Sequence, residues 1–377
     1  MIELFIFWAV SFIGLFLAIF WLQVIFLIEE KHEKLEDYTP FVSLIVPAWN
    51  EEEGATKTLK SLLELDYPKY EIIFVNDGST DRTLELVKPF AKKGVKIINK
   101  ENKGKASAVN TGIEEAKGEF IGVVDADSTV DEDSLKKLMR NFSSTEVGAV
   151  ISTIKIRNPR NILEKVQHYE YVLTSFVRKL MSTIDTLYVT PGVLSVYRRN
   201  IVRRLGGFDE KGNLTEDLEI ALRLKKHHYR VLIEPRSMTH TSPPRTFWTF
   251  WKQRVRWFRG LIHNSIKHRE MIFNPKYGLF GVFQFPLIMI TQFILIISFL
   301  MISYNIGQFV YRKIYSLILL GSEFFSLGEF PTFKEFIYGL NPLILFPFLV
   351  ALALGLFLLH MAHKNINQKW SYLPVLV

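Results

Sequence analysis

Two stretches of this chain stay apolar for longer than a bilayer is thick. Leu279–Ser303 carries no charged residue, and in Ile2–Ile28 the only strongly polar residues are Glu3 and Gln23. About 20 such residues cross the hydrocarbon layer as a helix. A backbone placed there must satisfy its own hydrogen bonds, so a helix is the structure each run dictates. A third run covers about 343–361. A cleaved signal opens basic and ends on small residues. Here Glu3 opens the first run and Glu29-Glu30 follows it, so a retained anchor is expected over residues 1–28. Pro286 is expected to kink the second run. Ile314–Leu320, flanked by Arg312, Lys313, Glu323 and Glu329, reads as an interfacial or re-entrant segment rather than a crossing.

Basic residues set the orientation. Lys252, Arg254, Arg256, Arg259, Lys267, Arg269 and Lys276 precede the second run, and Lys364 and Lys369 follow the third. Both flanks are therefore expected on the cytoplasmic side. Three crossings then put the N-terminus outside and residues 29–276 inside, in a multi-pass protein of the cell membrane. The formal net charge is +8. Because the basic residues track the apolar runs, they point to anionic lipid and a phosphate-bearing substrate, not to nucleic acid. The chain has no cysteine, which excludes disulfides, thiolate zinc sites and thiol nucleophiles. A final apolar run, Tyr372–Val377, reads as a short tail or the start of a further helix.

Between Phe41 and Thr241 the pattern changes. Val42–Val46, Glu71–Val75, Val95–Ile98, Phe120–Val124 and Ala149–Ile154 read as buried strands. Thr56–Leu65 and Thr80–Lys92 read as helices. Alternating strands and helices imply an α/β domain with a mostly parallel sheet covered on both faces, over about 41–245. Ligands then bind beyond the carboxyl ends of the strands. Three strands run into acidic loops there: Pro47-Ala48-Trp49-Asn50-Glu51-Glu52, Asn76-Asp77-Gly78-Ser79-Thr80-Asp81 and Asp125-Ala126-Asp127. Any one of these is an ordinary capped turn. The three together face one crevice.

Asp125 and Asp127 offer hard oxygen ligands that suit Mg2+ or Mn2+ bridged to phosphate. Asp127 is expected to be the direct ligand, with Asp125 facing a nucleotide sugar. Asp77 can accept from a base or ribose. Lys105, at the opening of a helix near Ala106, can steer towards a diphosphate beside the helix N-terminus. In Thr215-Glu216-Asp217 the threonine reads as a helix cap and the acids as first-turn residues. Asp217 is also a candidate general base for a sugar hydroxyl. Gln253, Arg256 and Trp257 stand at i, i+3 and i+4, sharing one helical face. Arginine binds a diphosphate bidentately and indole stacks on a sugar ring. The same stretch, about 246–276, reads as a basic amphipathic helix with Trp248, Trp251 and Trp257 at headgroup level.

The order Asp77, Lys105, Asp125/Asp127, Asp217, Gln253/Arg256/Trp257 resembles the family 2 inverting glycosyltransferases of GT-A fold. It is most similar to the membrane-integrated synthases of cellulose, hyaluronan, chitin and poly-N-acetylglucosamine, over about Phe41 to Gly260. The resemblance implies that Pro47, Glu51 and Asp77 line the base and ribose pocket and that Lys105 lies near the nucleotide. It implies Asp127 as the ligand of Mg2+ or Mn2+ and Asp217 as the catalytic base. Gln253, Arg256 and Trp257 would close over the diphosphate and the acceptor entrance, with Gly192 and Glu216 on the acceptor side. The implied donor is a UDP-sugar, the acceptor a glycan or lipid at the bilayer, and the new linkage β. Pro191 stands where the family usually has a small polar residue, and one N-terminal helix stands where the family often has two. Transfer of a single sugar to a polyprenyl phosphate or glycolipid is the first rival reading. A non-catalytic sugar-nucleotide-binding or transport protein is the second.

Overall fold

The structure is a computed structural model that describes residues 2–27, 38–212, 214–320 and 342–366. It divides into two compact units, Met1–Leu27 with Gln284–Leu358, and Ile28–Phe283 with Leu359–Val377.

The first unit is helical. α1 spans Ile2–Leu27, α10 Phe285–Leu320 and α11 begins at Pro342 and runs to Ile366. A π-helical turn, Phe280–Gln284, leads into α10. Pro286 is the second residue of α10 and follows directly on that π-helical turn, where the regular i→i−4 ladder that its missing N–H would interrupt is already broken. Ile314–Leu320 is not a separate interfacial segment: it is the last part of the same 36-residue helix. At about 1.5 Å per residue, 36 residues outrun a hydrocarbon core of about 30 Å, so Arg312 and Lys313 can stand beyond it. Among the described residues, Phe280–Leu319 is long and apolar enough to cross a membrane by length and composition. Its large side chains are open, with Phe293, Phe299 and Phe309 each more than 60% exposed. Glu29, Glu30, Glu323, Glu329, Lys369 and Tyr372–Val377 lie outside the described residues.

The second unit holds an eight-stranded sheet. Its strands are β1 (Val42–Ala48), β2 (Tyr70–Asp77), β3 (Val95–Lys100), β4 (Phe120–Val123), β5 (Thr129–Val130), β6 (Val147–Ile156), β7 (Ser195–Arg198) and β8 (Arg230–Thr241). The order is β3-β2-β1-β4-β7-β6-β8-β5. β3, β2, β1 and β4 are parallel, as expected of strands joined by helical crossovers. The expectation of a mostly parallel sheet fails beyond β4. β7 lies antiparallel between β4 and β6, and β5 antiparallel to β8, so the sheet is mixed.

All seven residues of the central strand β1 are buried, because helices cover both faces. Leu44 and Val46 pack with Leu59 and Leu62 of α2 (Ala55–Leu63). Ile45 packs on the opposite face with Ala108, Val109 and Ile113 of α4 (Lys105–Glu115). The expected helix Thr80–Lys92 is realised as a short α3 (Thr83–Val87) followed by a 3-10 turn, Lys88–Lys93, with Pro89 near its start. Proline removes the N–H that a continuing helix needs. The remaining helices are α5 (Ser134–Met139), α6 (Ile162–Thr183), α7 (Arg199–Arg204), α8 (Glu216–Lys226) and α9 (Phe247–Lys267).

Candidate active site

The three acidic loops meet at the carboxyl ends of β1, β2 and β4. Asn50, at a left-handed φ of 55° that asparagine tolerates, accepts from the Thr80 N–H at 2.8 Å. The Thr58 hydroxyl of α2 donates to the Ala126 carbonyl at 2.7 Å. These bonds fix the loops around a cavity of about 500 Å3 that Pro47, Glu51, Asp77, Lys105, Asp125 and Asp127 line. A second cavity of about 400 Å3 shares Lys105, Asp125 and Asp127 with the first. Gly192, Glu216, Asp217, Gln253, Arg256 and Trp257 line it. The structure thus brings every residue expected at the site into two adjoining cavities.

Several of them do other work than expected. Asp77 is buried, and its Oδ1 accepts from the Lys100 ammonium at 2.6 Å and the Lys103 N–H at 3.1 Å. Its Oδ2 accepts from the Gly104 N–H at 2.8 Å. The carboxylate therefore anchors the turn that opens α4 and so sets where Lys105 starts. Lys105 does not stand free for a diphosphate. Its ammonium bridges Asp125 at 2.6 Å and Glu216 at 2.8 Å. The two carboxylates hold its proton more tightly than usual, against the opposing effect of burial. Gly192 explains how the bridge fits: a Cβ there would lie 2.6 Å from Asp125 Oδ1 and 2.7 Å from Lys105 Nζ. The Gly192 carbonyl also accepts from the Asp125 N–H at 2.7 Å.

Thr215 does not cap α8 with its side chain, contrary to the sequence pattern. Its hydroxyl accepts instead from Asn264 of α9 at 3.0 Å. Glu216 and Asp217 then open α8 inside the cavity. The Asp217 carbonyl accepts from the Thr190 hydroxyl at 2.7 Å, and its carboxylate takes the Leu218 N–H at 2.8 Å. Burial, and then the neighbouring Glu216, push the Asp217 carboxyl up to about 6, with Lys105 opposing. A carboxylate with that proton affinity is ionised at neutral pH and still basic enough to accept a proton.

Glu51, Asp125 and Asp127 bear on metal binding. Burial, followed by Asp127 and Asp125, raises Glu51 to about 7. Burial and Asp125 raise Asp127, which also accepts from the Ser128 hydroxyl at 2.8 Å. A field that favours protons on clustered carboxylates also favours a hard cation. Among the described residues, no three acidic or imidazole groups form a ready cage. That donor set fits Mg2+ or Mn2+, which take one or two carboxylates and complete their shell with phosphate and water oxygens.

α9 crosses the start of α8 along one face. Arg256 donates to the Leu214 carbonyl at 3.0 Å, Asn264 reaches Thr215, and Lys267 pairs with the buried Glu219 at 2.7 Å. A Cβ at Gly260 would collide with the Thr215 hydroxyl, so this glycine permits the close crossing. Phe247, Trp248 and Trp251 are exposed, while Trp257 lines the cavity.

Sequence reasoning missed α6. Its residues Glu170, Tyr171, Thr174 and Arg178 line the second cavity, as does Tyr188. Glu170 binds Arg254 through both oxygens, at 2.5 and 2.7 Å. The Arg254 guanidinium lies 4.5 Å from the Trp257 ring centre and 4.7 Å from that of Phe250. Arg254, one of the basic residues counted before the second apolar run, positions the indole. The spacing 170, 174, 178 was the available signal, and in an amphipathic helix it reads as a solvated face.

Residues 43–206 match the family described as glycosyl transferase family 2. The chain is 32% identical over 308 residues to the poly-beta-1,6-N-acetyl-D-glucosamine synthase of Staphylococcus epidermidis, covering 79% of this chain and 73% of that one. The chain belongs to glycosyl transferase family 2. The same synthase of Staphylococcus aureus strain COL is 31% identical over 263 residues, 66% of this chain and 64% of the relative. A mannosyltransferase from Pyrobaculum calidifontis, solved with GDP-Man and Mn2+, superposes with a TM-score of 0.64 at 20% identity and covers 98% of both chains. That likeness establishes the GT-A fold. The family match ends at residue 206, before α8 and α9.

Proposed function

We propose that this glycosyltransferase transfers N-acetylglucosamine from a UDP-sugar to the end of a growing β-linked glycan, with inversion. The observation that carries the reading is the continuity of the two cavities, joined at Lys105, Asp125 and Asp127, with Asp217 on the far side. The donor occupies the first cavity. Pro47, Glu51 and Asp77 line the base and ribose, and Asp125 faces the sugar. Asp127 would hold Mg2+ or Mn2+, which when bound neutralises charge on the diphosphate. The acceptor enters the second cavity past Trp257, Glu216 and Gly192. Asp217 accepts the proton of the acceptor hydroxyl as that oxygen attacks the anomeric carbon. The UDP leaves from the opposite face of that carbon, on the first cavity's side beside Asp127, with Gln253 and Arg256 closing over its diphosphate. The names of the staphylococcal relatives support the sugar and the polymer. The apolar helix Phe280–Leu319 and the exposed indoles of α9 support attachment to a membrane, and the further apolar runs with their basic flanks support the reading of several crossings with this domain on the cytoplasmic side.

Incubating the purified full chain with Mn2+ and separate UDP- and GDP-sugars, then sizing the products, tests this. A ladder of oligomers from UDP-N-acetylglucosamine is expected. A single sugar on added polyprenyl phosphate would replace the reading with the single-transfer one. The rate should also depend on pH in a defined direction. Asp217 works deprotonated and its proton leaves near 6, so kcat/KM should climb as pH rises through about 6 and level off above it. A flat profile from pH 5 to 8 would remove Asp217 as the titrating base.

A further inference from the structure

The second cavity contains a cation that its neighbours do not use. Lys105 is held by Asp125 and Glu216, Arg256 by the Leu214 carbonyl, and Arg254 by Glu170. Arg178 of α6 lines the same cavity and, among the described residues, makes no hydrogen bond or ion pair. The phenols of Tyr171 and Tyr188 line the wall beside it and likewise make no hydrogen bond among the described residues. Both stay protonated, because burial raises them, and so both can donate. The Gln253 carbonyl oxygen is buried there with no partner among the described residues. Buried polar groups are ordinarily satisfied by protein or ordered water. Several open on one wall suit a ligand that brings many hydrogen-bonding oxygens.

Two features say which ligand. Arg178 and Asp217 line the same cavity without pairing with one another. A group bound by Arg178 therefore shares that cavity with the base. An ionised phosphate has no proton for that base to take, and Asp217 and Glu216 repel it. A neutral sugar, whose hydroxyl does need a base, fits both conditions. Trp257, braced by Arg254, supplies an apolar face for the pyranose ring.

The geometry points to Arg178, with Tyr171 and Tyr188, as the binding subsite for the non-reducing end of a neutral glycan acceptor. The inference rests on the proposed synthase reading. Arg178 donates its fork to oxygens flanking the attacking hydroxyl and so turns that hydroxyl towards Asp217. It binds acceptor, not donor.

Two rates separate these roles in the full-length protein with Mn2+ and UDP-N-acetylglucosamine: UDP release to water, and transfer to a β-1,6-linked N-acetylglucosamine pentasaccharide. Arg178→Ala should raise the acceptor KM by on the order of 10- to 100-fold, as expected for losing a charge-assisted hydrogen bond. The ratio of transfer to UDP release into water, rather than either rate alone, carries the test and should fall by at least about tenfold, because Arg178 binds acceptor and not donor. Arg178→Lys, which keeps the charge but loses the fork, should fall between, and Tyr188→Phe should raise the same KM while keeping the ring. If release to water falls in step with transfer, or the acceptor KM does not move, the subsite assignment is overturned. If the parent protein extends polyprenyl phosphate but not the pentasaccharide, both this inference and the synthase reading fail. A parent that extends the pentasaccharide beside an unaffected Arg178→Ala variant sinks only the inference.

Discussion

Asp217→Asn is expected to lower the transfer rate by about 10²- to 10⁴-fold, the range a general base contributes, with little change in UDP-sugar binding. The substitution keeps the shape of the side chain, and its Oδ1 can still accept the Leu218 N–H that the carboxylate accepts at 2.8 Å. The backbone carbonyl that ties α8 to Thr190 is unaffected. Stability gives an independent check. The folded-state carboxyl is raised to about 6 from an ordinary 3.8, so the fold binds this proton more tightly than the unfolded chain does. Stability from that source is present at low pH and is lost as pH rises through about 6. Asparagine carries no charge, so the variant should melt at the same temperature as the parent, or higher, at pH 8. A folded variant with near-parental transfer would show that another group takes the proton. A variant that is inactive because it melts early would leave Asp217 as a structural residue.

Lys105→Ala is the second large effect, with a loss of about 10²- to 10³-fold in kcat/KM, comparable to removing a preorganised charge at a reacting centre. The ammonium is the link between the two cavities, 2.6 Å from Asp125 and 2.8 Å from Glu216. Without it, Asp125, Glu216 and Asp217 face one another uncompensated. Lys105 holds the Asp217 carboxyl down against burial and Glu216. Its removal should therefore push that carboxyl higher, and the acid limb of the pH–rate profile should move towards neutral pH. The lysine side chain is about one-third exposed, with 37% of its area open, so solvent moderates the change in fold stability. The decisive reading is the limb. A Lys105→Ala enzyme that is slow but keeps an inflection near 6 would mean that the bridge does not tune the base.

Much of the fold was legible because its signals are local. β1, β2 and β4 are short apolar runs that end in acidic turns. β8 was missed because Glu234-Pro235-Arg236 breaks its apolar pattern, and the pairing with β6 jumps from Glu234 to Met238 at that point. β7 is only four residues long, and its antiparallel insertion depends on which strands it lies between, which no single segment specifies. α10 runs through the charges at Arg312 and Lys313 that suggested a break, since two cations near the end of a long helix cost little once they can reach water.

What the sequence by itself determined is the set of chemical groups and the ends they occupy: acidic loops after parallel strands, an acidic start to α8, and Gln253, Arg256 and Trp257 on one face of α9. These follow from periodicity and turn chemistry, which act over a few residues. Only the tertiary structure decided what each group faces. It made Asp77, which lines the first cavity, also an anchor for the loop before Lys105. It placed Lys105 between Asp125 and Glu216, and it set Arg254 beneath Trp257. It also left Arg178 without a hydrogen bond or ion pair among the described residues. Charge and hydrogen-bond partners come from residues far apart in the chain, and Coulomb forces in a buried cleft depend on distance in space, not on spacing in sequence.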